Sequence, residues 1–94
     1  MAGYIRLVCL TEQGKKNMRK NPGRMADEAA RILEEHGGRQ VSTWATLGRY
    51  DLIVVVEAPD DMAMMHVSAE IGALGGAHVE TLPAVPSDEF HAGL

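Results

Sequence analysis

Gly48-Arg49-Tyr50-Asp51-Leu52-Ile53-Val54-Val55-Val56-Glu57 is the stretch that decides the fold. Its run from Leu52 to Val56 is short enough for a strand, and apolar on both faces that a strand presents. Such a strand needs a cover on each side. Gly48-Arg49 ahead of it reads as a two-residue hairpin turn, with glycine at the first central position. The flanking strands are then Gln40 to Leu47 and Tyr50 to Glu57. The turn fixes a register: Leu47 opposite Tyr50, Ala45 opposite Leu52, Thr43 opposite Val54 and Val41 opposite Val56 on one face. Thr46 with Asp51, Trp44 with Ile53, Ser42 with Val55 and Gln40 with Glu57 take the other.

Outward from the hairpin, two helices flank it. Ala26, Ala29, Ala30 and Leu33 recur at helical spacing, which predicts a helix from about Gly23 to His36, stopped by Gly37-Gly38. Asp60 caps a second helix that reaches Leu74 before Gly75-Gly76. The chain begins with a strand from Tyr4 to Leu10, followed by a short helical turn that Thr11 caps and Asn21-Pro22-Gly23 breaks. It ends with a strand from His78 to Val85 and a short mobile tail, 87–94. The order is βαββαβ, an α+β ferredoxin-like plait: a four-stranded antiparallel sheet with two helices on one face.

Those helices cover only one side of the sheet. Assigned to the open side are Val8, Leu10, Trp44, Ile53, Val55 and Leu82, more apolar surface than a monomer usually exposes. Leaving these side chains wet forgoes roughly 5–10 kcal/mol of burial. A second copy of the chain is the natural cover, so the expected partner is the protein itself, as a homodimer or higher assembly.

Ninety-four residues make one domain, 1–94, and the composition is that of a globular protein. The longest apolar run is too short to cross a bilayer and no signal-peptide pattern follows Met1, so the expectation is a cytoplasmic protein with no membrane partner. The net charge of −4 argues against general nucleic-acid binding. All nine Lys and Arg residues nevertheless lie at or before Arg49. Lys15, Lys16, Arg19, Lys20 and Arg24 form a basic cluster that reads as a solvated face, with an acidic partner as the alternative. The single cysteine, Cys9, reads as a small buried hydrophobe.

Several separated segments resemble one family. Thr11-Glu-Gln-Gly14, Gly48-Arg-Tyr-Asp51, the Val-Val-Glu-Ala-Pro-Asp-Asp segment ending at Asp61 and Leu74-Gly-Gly look like the GYD domain family. Arg49 stands between the glycine and tyrosine of its eponymous motif. The resemblance implies a ferredoxin-like fold of the dimeric α/β-barrel type. It implies little about activity, because the related superfamily spans small monooxygenases, haem-degrading enzymes, chlorite dismutases and amino-acid-sensing domains.

Two places carry candidate chemistry. At the hairpin corner, Arg49, Tyr50 and Asp51 set a cation, a phenol and a carboxylate side by side; the structural alternative is a turn with Asp51 accepting turn amides. On the open face, alternation places Tyr4, Arg6, Trp44, Asp51, Glu57, His78 and Glu80 among apolar side chains, the usual make-up of a small-molecule site. There Trp44 supplies a flat wall, Arg6 an anchor for an anionic ligand and His78 a proton carrier. The alternative for that face is an interface with charges paired across a two-fold axis. No metal-ligand spacing, nucleotide loop or nucleophile elbow is present, so no cofactor is expected. The reading is a non-enzymatic, homo-oligomeric small-molecule-binding or regulatory domain. A cofactor-independent small monooxygenase- or isomerase-like enzyme, using His78, Tyr50 or Asp51, is the alternative.

Overall fold

The computed structural model describes residues 1–94. It runs β1 (Ala2–Leu10), α1 (Glu12–Lys20), α2 (Arg24–Glu35), β2 (Arg39–Ala45), β3 (Leu52–Ala58), α3 (Asp61–Leu74), β4 (Ala77–Ala84) and α4 (Ser87–Ala92). The four strands form one sheet in the order β2-β3-β1-β4, with every neighbouring pair antiparallel. This is the expected α+β ferredoxin-like plait.

The core lies between the sheet and helices α2 and α3. Tyr4, Val8, Val54, Val56 and Ala58 from the two central strands meet Ile32 and Leu33 of α2 and Met64 and Val67 of α3. Val56, Ala58 and Val67 are sealed completely. Alternation makes this possible: Val54 and Val56 point at the helices while Ile53 and Val55 point away.

β1 divides the other way round from the sequence expectation. Arg6 stands opposite Val54 and Val8 opposite Leu52, so Tyr4, Arg6, Val8 and Leu10 face the helices. Ile5, Leu7 and Cys9 take the open face. Both halves of β1 are apolar enough to be buried, so alternation alone did not choose between them; the register with β3 does. Cys9 is accordingly half-buried on the open side, and its thiol donates to the Arg49 carbonyl at 2.9 Å.

The hairpin register holds from Ala45–Leu52 to Ser42–Val55, but the strands end there. In place of a two-residue turn, 46–51 form a wider loop without the expected Leu47–Tyr50 pair, closed by the Thr46 amide donating to the Asp51 carbonyl. A bulge between Gln40 and Ser42 then moves the pairing by one residue. Gln40 therefore lies opposite Val56 and Arg39 opposite Glu57, in place of the expected Val41–Val56 and Gln40–Glu57 pairs. The bulge lets Arg39 pair with the Glu57 carboxylate, Nη2 to Oε1 at 2.6 Å.

Both chain segments read as minor are helical. α1 is nine residues long rather than one turn, capped by the Thr11 hydroxyl, which accepts from the Gly14 amide at 3.1 Å. Residues 87–92 form α4, with Asp88 and Glu89 in its first turn.

Gly14 and Gly76 press backbone on backbone. A Cβ on Gly14 would come within 1.9 Å of the Gly76 carbonyl oxygen, which already accepts from the Thr11 amide at 3.0 Å. Gly72 in α3 has open space around its Cα. The two glycines should therefore respond with opposite signs. In urea unfolding, Gly14→Ala is expected to cost about 1–3 kcal/mol by overpacking. Gly72→Ala is expected to gain about 0.5–1 kcal/mol by helix propensity.

Candidate functional site

The open face is built in rows. Trp44, Ile53, Leu7 and Glu80 cross the four strands in one line, and Ser42, Val55, Ile5 and Leu82 in the next. Cys9 stands opposite His78 one row further toward the hairpin. The centre of the face is thus aliphatic, Trp44 flanks it on the β2 edge, and His78 and Glu80 flank it on the β4 edge. Trp44 is 62% exposed, Val41 53% and Leu82 42%. The apolar open face exists as expected, with Ile5 and Leu7 in the places assigned to Val8 and Leu10.

The hairpin corner closes one end of this face. The Tyr50 hydroxyl donates to Glu80 Oε2 at 2.9 Å, tying the β2–β3 hairpin to β4 across the β1 strand. This hydrogen bond to a carboxylate is the first cause that raises the Tyr50 pKa above its ordinary value, with desolvation behind it. The Arg49 guanidinium lies 5.9 Å from the Tyr50 ring centroid, within reach of a cation–π contact. Arg49, Tyr50, His78 and Glu80 are therefore brought together at the hairpin end of the open face, with Trp44 on its opposite edge.

Asp51 is occupied elsewhere. Its Oδ2 accepts the Leu10 amide at 2.7 Å, and its own amide donates to the Val8 carbonyl at 2.8 Å. The carboxylate pins the end of β1 to the hairpin, a structural role, though on a neighbouring strand rather than within its own turn. A bonded tyrosine with a raised pKa and a carboxylate engaged by the backbone are poorly disposed to carry protons.

Tyr4 and Arg6 are not on this face. Both lie beneath the helices, 2% and 5% exposed. The Tyr4 hydroxyl donates to Asp61 Oδ1 at 2.5 Å, and that bond, with burial behind it, raises its pKa to about 12. Tyr4 thereby latches β1 to the first turn of α3. Sequence alternation could not reveal this because Asp61 lies far along the chain, although an acid in the first turn of a helix is a legible signal. Also unforeseen is a link between α2 and α3, where His36 Nε2 meets the Glu70 carboxylate and the His36 and His66 rings stand 5.9 Å apart.

At the end of the sheet away from the hairpin, a groove of about 650 Å³ is lined by Ile5, Val41 and Val55, by Tyr4 and Asp61 from the helix side, and by the segment from Pro83 to Pro86, with Glu89 of α4. No helix is long and apolar enough to cross a membrane.

Against known proteins, a family model described as the GYD domain matches residues 4–94. The chain is also similar to a protein of Thermus thermophilus named "Glutamine synthetase and cystathionine beta-lyase binding protein". The two are 32% identical over 94 residues, 100% of this chain and 99% of the relative.

Two measurements check the roles of Asp51 and Tyr4. Asp51→Ala strands the Leu10 amide and should cost about 1–3 kcal/mol in urea unfolding, and Asp51→Asn, which keeps an acceptor oxygen, should cost less. The raised Tyr4 pKa contributes stability that is complete below the ordinary tyrosine value of 10.0 and lost as pH climbs toward about 12. The unfolding midpoint should fall over that interval, and Tyr4→Phe should remove part of the fall.

Proposed function

The chain belongs to the GYD domain family, and on that premise we propose that it is a non-enzymatic binding or regulatory module that works as a homo-oligomer. Copies join through the open sheet face, and the hairpin end of that face, with Arg49, Tyr50, His78 and Glu80, recognises a further partner. The observation that carries this reading is the aliphatic centre of Ile5, Leu7, Ile53 and Val55, with exposed Trp44, Val41 and Leu82 around it. A face of this kind serves as an interface more readily than as a solvated surface. Polar groups at its end give direction to binding, and Tyr50 and Asp51 among the hairpin side chains are already engaged within the chain.

The relative supports one kind of partner. That protein is named for binding glutamine synthetase and cystathionine beta-lyase. A metabolic enzyme of that kind is the partner we assign to this chain, in a cytoplasmic setting. A small ligand held between the sheets or at the subunit junction would tune the association.

The experiment has two arms. Light scattering at micromolar concentration should give a multiple of 10.2 kDa for the native chain. Trp44→Lys, which sets a charge in the apolar row, should shift the mass toward that of the monomer. In the second arm, immobilised native protein should retain purified glutamine synthetase or cystathionine beta-lyase, and Arg49→Glu with Tyr50→Phe should weaken that retention. A monomeric native chain overturns the assembly, and equal retention of an unrelated enzyme overturns the partner.

A further inference from the structure

Arg6 stands in the middle of β1, beneath α2 and α3, and is only 5% exposed. It takes part in none of the ion pairs of the molecule, and its Nε is buried without a hydrogen-bond partner. Burial pushes its pKa below the ordinary value, yet a guanidinium stays protonated in a protein, so the position holds a fixed positive charge. Nε is the one buried atom of the group without a partner, and a largely desolvated charge with no protein partner is costly to a fold. Methionine at the same position would fill similar space without that penalty.

The guanidinium is not walled in. Arg6 lines a cavity of about 130 Å³ between the sheet and the helices. Met25 and Ala29 of α2, Ile71 and Leu74 of α3 and Val54 of β3 are among the apolar residues of its wall. Besides Arg6, the polar side chains on the lining are Gln40 and Thr43. The volume is close to that of an apolar cavity of about 150 Å³ able to hold benzene.

An outer hollow of about 330 Å³ shares Met25, Ala26, Leu52, Leu74 and Gly75 with the inner cavity. Its rim carries exposed Lys20 and Arg24, the latter paired with Glu28. The basic side chain of Lys20 thus stands beside a hollow that adjoins the cavity holding the Arg6 cation.

We infer that this inner cavity binds a compact apolar monocarboxylate, with the carboxylate on the Arg6 guanidinium and the hydrocarbon body against α2 and α3. One negative charge matches the one buried cation. A phosphate dianion would bring surplus charge into an apolar site, and a neutral hydrocarbon would leave Arg6 unpartnered. The site lies on the opposite side of the sheet from the open face, so it stands independently of the assembly proposed above.

The test titrates the native chain with isocaproate, with its neutral isostere isocaproamide and with inorganic phosphate. The Arg6 Nε–H signal is followed by NMR and the thermal midpoint by calorimetry. Isocaproate should move the Arg6 signal and raise the midpoint. Isocaproamide should bind about tenfold more weakly or worse, the worth of a charge-assisted hydrogen bond. Phosphate should leave the Arg6 signal in place. Arg6→Met should abolish the preference for the carboxylate while leaving the mass in light scattering unchanged, which separates this outcome from failure of the open-face assembly. An Arg6 signal indifferent to millimolar isocaproate, or equal binding of acid and amide, overturns the inference. Because the signal is read in the native chain, the test holds even where the variant fails to fold.

Discussion

A sheet with helices packed on only one of its sides must find a use for the other, and β1 settles how its side chains are shared between the two. It is a central strand, hydrogen-bonded to β3 on one edge and β4 on the other. Its register with β3 sets Tyr4, Arg6 and Val8 beneath α2 and α3, and Ile5 and Leu7 on the open side. From that one alignment follow the latch from Tyr4 to Asp61, the buried charge at Arg6 and the aliphatic centre of the open face. A slip of one residue would exchange all of these at once.

Three of the four segments that resemble the family meet in space at the end of β1. The Leu10 amide is held by Asp51, the Thr11 amide by the Gly76 carbonyl, and Gly14 rests against Gly76. Three stretches far apart in the chain thus close one junction, by the Asp51 carboxylate on a backbone amide and by close backbone contact at the glycines. Glycine is required at Gly14 by close approach and favoured at Gly76, which has a φ of 85°. The family signature is in this respect architectural, and the chemistry of recognition falls to the side chains around it.

Much of this was open to reading in the sequence, and the exceptions have physical causes. The hairpin was legible because Gly48 takes a φ of 96° and the apolar pattern continues on both sides of it. The bulge at Val41 was not, since no glycine or proline marks it. The helical ends after Thr11 and Pro86 lacked an apolar stripe long enough to declare them. Alternation and turn chemistry placed Trp44, His78 and Glu80 on the open face and Arg49 and Tyr50 at the hairpin corner, where the structure has them. Tyr4 and Arg6 were not, because β1 is apolar on both sides and a tyrosine and an arginine ordinarily mark the wet one. Arg6 breaks that rule, and the break is the strongest reason to look for a ligand beneath the helices.

Trp44 is the sole tryptophan and stands on the open face, so its fluorescence reports directly whether that face is covered. Acrylamide quenching measured over a dilution series tests the central claim. The account predicts a blue-shifted, protected indole at micromolar concentration that becomes quenchable as the protein is diluted. An indole fully quenched, with the emission of tryptophan in water, at every concentration would contradict it.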